Sequence, residues 1–146
     1  MTTEVNIQFQ GVGPIAVDTE KLRDWIERVA ASHGKHAGRL TYVFCDDEYI
    51  IGVNRQFLGH DYYTDIITFD YSTSRRISGD MVISLDTVAT NAQALGVPLA
   101  DELRRVVIHG VLHLCGINDK APGEREIMEQ HENSALDICP DNILKI

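Results

Sequence analysis

Polar and apolar residues alternate along Glu4–Phe9, with Val5, Ile7 and Phe9 on one side, the period-two pattern of a half-buried strand. After Gly13 and Pro14 the period lengthens. Asp18 is suited to cap a helix whose Leu22, Trp25, Ile26 and Val29 form one apolar stripe, and Gly34 stops it. Leu40–Cys45 predicts a second strand, after which Asp46 caps an amphipathic helix marked by Tyr49, Ile50, Val53 and Phe57 and ended by Gly59. Ile66–Tyr71 and Asp80–Ser84 predict two more strands, joined by a loop of Ser, Thr and Arg that suits an antiparallel connection. Three helices follow. The first runs from about Asp86 to Leu95 with Gly96 at its end, and the second from Pro98, read as a first-turn proline, to Gly116. The last begins near Pro122 and turns Ile127, Met128 and Leu136 inward. The pattern predicts an α+β (mixed α/β) fold, with one small sheet of about four strands and about five helices, in one domain over residues 1–146.

Composition narrows the function classes. With 146 residues, 44% of them hydrophobic, the chain has material for one compact core. No stretch approaches the roughly 20 apolar residues of a membrane span, and the opening MTTEVNIQFQ lacks a signal-peptide pattern, so a cytoplasmic location is expected. Cys45, Cys115 and Cys139 are odd in number and scattered, which fits reduced thiols rather than a disulfide framework. The formal net charge of −9 has the wrong sign for holding nucleic acid by bulk electrostatics, so any RNA contact is local. The short basic spots at Lys35, His36 and Arg39, at Arg75 and Arg76, and at Arg104 and Arg105 read first as solvated surface.

The chemistry concentrates in Val106–Asp119, VVIHGVLHLCGIND. At 1.5 Å rise per residue, His109 and His113 share a helix face about 6 Å apart, near enough for both imidazoles to reach one ion. Gly116 can end the helix in a left-handed cap and let Asp119 return toward the same ion. Two imidazoles and one carboxylate leave a tetrahedral ion one open position for water, the mark of catalytic rather than structural sites. Zinc peptidases place a Glu directly after the first His as general base; here that position is Gly110, so the catalytic species is water activated by the metal itself, with Asp65 and Asp80 the candidate side-chain helpers. Glu124 and Glu126 are candidates to orient a ligating imidazole, and His60 to touch a phosphate, while His33, His36 and His131 read as surface.

These residues also carry a family likeness. His109-Gly110-Val111-Leu112-His113-Leu114-Cys115-Gly116 resembles the HGxLHLxG signature of the YbeY family of endoribonucleases and rRNA maturation factors. Asn54, Phe57, Asp61 and the run Thr64-Asp65-Ile66-Ile67-Thr68-Phe69 resemble its TDVLSF-type block, and Gly79-Asp80-Met81-Val82-Ile83-Ser84 resembles its GDIxIS block. The likeness runs from about Leu40 to Leu136. It implies a mixed α/β domain, a zinc-type ion on three side chains, single-strand endoribonuclease activity, and a role in rRNA maturation and ribosome quality control, with RNA and ribosome-associated proteins as partners. It also implies that His109 and His113 are metal ligands. Where the family usually has a third His, this chain has Asp119, preceded by Ile117 and Asn118 instead of Tyr-Asp; an Asp also ligates zinc but lessens the acidity of the ion. Where an Arg is common after the central aromatic residue, this chain has Leu58, and Arg55, on the same predicted helix, is the candidate replacement. Three readings stay open: a metal-dependent endoribonuclease, a ribosome-assembly binding factor with a mainly structural metal, and a metallopeptidase. Two imidazoles and a carboxylate accept other divalent transition metals as well as zinc.

Overall fold

A computed structural model describes residues 2–146; Met1, within the opening segment read above, lies outside them. Four strands form the main sheet in the order β1 (Glu4–Gln10), β3 (His36–Cys45), β5 (Arg76–Ser84) and β4 (Ile66–Asp70). The first three run parallel and β4 is antiparallel to β5, as the short loop between them predicts. β5 begins four residues earlier than the apolar run suggests, because Arg76 and Ile77 pair with His36 and Ala37 across the sheet. Val5, Ile7 and Phe9 of the edge strand β1 pack against the core and the residues between them are exposed, so the alternation was a true guide.

Helices cover both faces. Helix α1 (Thr19–Ser32) is capped by the Asp18 carboxylate, which accepts from the Lys21 amide at 3.1 Å, and all four residues of its stripe are buried. Trp25 within that stripe donates its indole N–H to the Ala135 carbonyl at 2.8 Å, tying α1 to helix α5 (Glu124–Asp137). Helix α4 (Leu99–Leu114) lies on the same face of the sheet, with Leu103, Val106, Val107, Ile108, Val111 and Leu112 in the main core. Tyr42 of β3 donates to the Val107 carbonyl of α4 at 3.0 Å. On the opposite face helix α2 (Asp47–Val53) packs Ile50 against Cys45, Ile67 and Val82. Helix α3 (Leu85–Leu95) follows β5 directly and is capped by Ser84, earlier than the Asp86 start the sequence suggests.

Several expectations need correction. Pro98 is extended at the N-cap, and α4 starts one residue later. Asp46 does cap α2, but the helix changes at Asn54 into a π-helical turn, Asn54–Leu58, before Gly59 ends it with φ 66°. The wider turn rotates Phe57 out of the core and leaves it 61% exposed. In α5 Met128 is buried, whereas Ile127 is half exposed because Glu132 and Ala135 share the inner face instead. A two-residue pairing of β2 (Ala16–Val17) with β6 (Leu144–Lys145) was not foreseen, since so short a strand carries no period.

Two glycines set how closely α4 approaches the sheet. A Cβ on Gly79 would lie 2.5 Å from the Phe69 carbonyl oxygen and 2.9 Å from Leu114 Cδ2, and one on Gly110 would lie 2.8 Å from Met81 Cγ. The Phe69 carbonyl belongs to the β4–β5 ladder and cannot retreat without breaking it. Gly79→Ala is therefore expected to destabilise the fold by about 1–3 kcal/mol, read as a lower urea midpoint with an unchanged denaturant slope.

Candidate metal centre

Helix α4 is buried around most of its circumference, and His109 and His113 occupy the strip left partly open, with 20% and 28% of their side-chain surface exposed. Their spacing of four brings the rings to 4.5 Å between centroids, nearly perpendicular at 84°. Cys115 closes the helix, Gly116 turns the chain with φ 97°, and the segment after it returns Asp119 to the histidines. Asp119 Oδ2 lies 3.3 Å from His109 Nε2 and 3.4 Å from His113 Nε2. Donor atoms of all three residues fall within 4.8 Å of one another, the only such group among the described residues.

The far side of His109 is fixed as well. Its Nδ1 lies 2.6 Å from Glu132 Oε2, while Glu132 Oε1 accepts from Arg105 Nη1 at 2.8 Å and Arg105 Nη2 donates to Asn133 at 3.0 Å. An ionised Glu132 accepts only, so His109 carries its proton on Nδ1 and turns the Nε2 lone pair toward Asp119. This is the carboxylate–imidazole support that metal-ligating histidines generally have. Burial alone would push Glu132 up, but its hydrogen bonds from His109 and Arg105 hold it below the usual carboxylate value. For His109, burial pulls downward and is outweighed by Glu132, Asp119 and Asp65, so its imidazole titrates above its ordinary value. His113 is lowered by burial and by the neighbouring His109. A cation fits this donor set, since it can take the place of the Nε2 proton that Asp119 favours on His109: two ring nitrogens and a carboxylate oxygen converge within 4.8 Å.

The site opens on a cleft of about 1050 Å³ between α4 and α5 whose lining includes Asp65, Glu102, Arg105, His109, Asp119 and Glu132. Asp65 thus faces the same space as His109, its carboxyl raised by burial against the pull of that imidazole, and its backbone carbonyl is held by the Ser84 amide at 2.9 Å. Asp80 does not join it. Its neighbours Gly79 and Met81 face α4, so the alternation of the strand sends Asp80 to the other face, where it meets the Tyr71 hydroxyl. Glu124 accepts from the Ala121 amide at 2.8 Å as a local cap, Glu126 is exposed, and neither supports an imidazole. Arg55 is ion-paired with Asp61, and His60 Nδ1 is 2.9 Å from the Tyr62 hydroxyl; both lie outside the cleft lining. His33 and His131 pack ring against ring at 4.9 Å, tilted by 59°. Burial raises the Cys45 thiol to about 12 and the Cys115 thiol to about 11, so neither supplies a thiolate nucleophile near neutral pH.

Glu132 is the residue that sequence reasoning missed. A signal existed: it lies four residues after Met128 and three before Ala135, on the buried stripe of α5, where an unpaired charge would be costly. Gly110 also gains a meaning. A side chain there would run into Met81 and Ile66 of the sheet, so the general-base Glu of zinc peptidases has no room at this position.

Fold and site together define a small mixed α/β protein in which two histidines and an aspartate at the end of helix α4 form a group that could hold a cation. A family model described as Endoribonuclease YbeY matches residues 7–139. Endoribonuclease YbeY of Bacteroides thetaiotaomicron is 59% identical over 132 residues, spanning 90% of this chain and 96% of that protein. The Porphyromonas gingivalis ATCC 33277 protein of the same name is 45% identical over 140 residues, covering 96% and 93%. The solution structure of TM1509 from Thermotoga maritima has the same fold, with a TM-score of 0.61 and 24% identity over 90% of this chain and 89% of that one. The chain belongs to the YbeY endoribonuclease family, whose activity is that of a nuclease, a hydrolase of RNA. The peptidase reading falls with that membership, in accord with the crowded position of Gly110. No helix among the described residues is long and apolar enough to cross a membrane.

Proposed function

We propose that the chain is a metal-dependent endoribonuclease that cuts single-stranded RNA, with zinc as its ion and ribosomal RNA as its substrate during maturation and ribosome quality control. Ribosome-associated proteins and a cytoplasmic location go with that reading. The observation that carries it is the convergence of His109, His113 and Asp119 on one point while Glu132 holds His109 from behind. A divalent ion bound there supplies Lewis acidity, lowering the pKa of water and withdrawing charge from a phosphodiester. Around it, Glu132 keeps the Nδ1 proton on His109, Arg105 keeps Glu132 ionised, and Asp65 faces the cleft as the side chain suited to move a proton.

Partial exposure of all three donors, 20–28% of each side chain, together with the adjoining cleft, favours catalysis over a closed structural site. Away from the ion the cleft offers little to a phosphate backbone, since seven carboxylates line it against three arginines. Arg104 is paired with Asp101 and Arg105 with Glu132. Zinc-loaded protein is expected to cut a single-stranded RNA and to spare the same sequence in a duplex, to stop in EDTA, and to recover on zinc addition. Cleavage that persists in EDTA contradicts the metal dependence, and binding without cleavage favours the assembly-factor reading.

A further inference from the structure

The segment between α2 and β4 is built unlike the rest of the surface. Its π-helical turn, Asn54–Leu58, is a feature that recurs at functional sites. Asn54 is 1% exposed and donates from Nδ2 to the Tyr62 carbonyl at 2.9 Å, and its own carbonyl accepts from the His60 amide at 3.2 Å. Its Oδ1 has no partner among the described residues. The loop that this buried amide holds carries large apolar rings outward: Phe57, Tyr62 and Tyr63 are 61%, 54% and 60% exposed. Two of the rings are braced. Tyr62 stacks on His60 at 5.1 Å and 21° while its hydroxyl bonds His60 Nδ1, and Phe57 stands edge-on to Phe69 at 5.7 Å.

Its position adds the second observation. Phe69 belongs to the sheet face covered by α2, whereas Asp65, two residues after Tyr63, lines the metal cleft. The loop therefore passes around the open edge of β4, the last strand of the sheet, and leads to the reaction site. A chain with net charge −9 and an acidic cleft gains little from tracking a phosphate backbone. Unpaired bases present another handle, because every base has a π-face for an aromatic ring and single strands leave that face free.

We propose that Tyr62 and Tyr63, with His60 bracing Tyr62 and Phe57 extending the strip, form a base-stacking platform that seats the unpaired nucleotides next to the scissile phosphate. The inference rests on the nuclease reading and names how that site takes single strands. It also gives His60 a different task from phosphate contact: its Nδ1 is engaged by Tyr62, and its ring is one face of a stack.

The test is fluorescence anisotropy of metal-loaded full-length protein with a labelled 2′-O-methyl RNA dodecamer, which keeps bases and phosphates but resists cleavage. Tyr63→Ala and Tyr62→Ala are each expected to weaken binding about tenfold to a hundredfold, with no change in the salt slope of the affinity, since no counterion release is lost. Tyr63→Phe and Tyr63→Trp keep a ring and are expected to bind like the parent, which separates stacking from misfolding. An abasic dodecamer is expected to bind parent and alanine variants equally weakly. Alanine variants that bind the dodecamer like the parent, or that lose the abasic probe to the same degree, overturn the platform. Should that happen while the parent still cleaves single-stranded RNA, the nuclease reading stands and the platform alone falls; a parent that neither cleaves nor binds overturns both.

Discussion

Asp119→Ala is expected to lower RNA cleavage by about a hundredfold to a thousandfold while leaving the apoprotein as stable as its parent within about 1 kcal/mol. Asp119 keeps about a quarter of its side chain exposed and, among the described residues, its polar partners are the two imidazoles, so the core does not depend on it. Its carboxylate is one of only three donors, and two imidazoles four residues apart on a helix hold an ion far less firmly than three groups closing on it. His113→Ala is expected to behave alike. Zinc should raise the melting temperature of the parent by mass action and leave that of either variant nearly unmoved. Initial rates on single-stranded RNA beside thermal melts with and without zinc check both halves. A variant that keeps parental rates after chelation and reloading would remove Asp119 from the centre.

Glu132→Ala is expected to weaken zinc binding about tenfold to a hundredfold although Glu132 touches no ion. Glu132 is 6% exposed and is the group that decides which nitrogen of His109 bears the proton. Without it, His109 is free to turn or to change tautomer, and the Arg105 guanidinium loses one of its two partners. The second loss adds to the cost of folding, because a charge left half-paired against α5 is destabilising. Glu132→Gln divides the two roles: its amide oxygen still accepts from Nδ1, but its NH2 then faces the Arg105 guanidinium donor to donor, so zinc affinity should lie between alanine and parent while stability recovers only in part. Competition against a chromophoric chelator reads the affinity, and urea unfolding reads the stability. Equal zinc affinity in all three proteins would mean that Glu132 is structural only.

The contrast between Asp119 and Glu132 marks how far sequence reasoning reaches. Local signals were readable. The four stripe residues of α1 are buried, Asp18 and Asp46 cap the helices assigned to them, and Gly116 takes the left-handed turn that sends Asp119 back. Each of these depends on residues within a turn or two of one another, where period and capping chemistry act directly. What was not readable depends on contacts across the chain. Glu132 meets His109 from 23 residues away; its place on the Met128 stripe sets it apart from Glu124 and Glu126 as a buried acid, but only the packing of α5 on α4 shows which group it meets. Asp65 and Asp80 look equivalent as loop and strand acids, yet only the facing of β5 toward α4 shows that one shares the cleft and the other does not. The π-helical turn escaped for another reason: π and α turns differ by one residue, and over five residues the apolar spacing of Val53 and Phe57 satisfies either.

The measurement that bears most directly on the centre is elemental analysis of the gently purified chain beside its His109→Ala, His113→Ala and Asp119→Ala variants. One equivalent of a divalent transition metal in the parent, lost from each of the three, is the predicted result. A parent that retains no metal under those conditions, or any one variant that retains the full equivalent, contradicts a shared ion at this site.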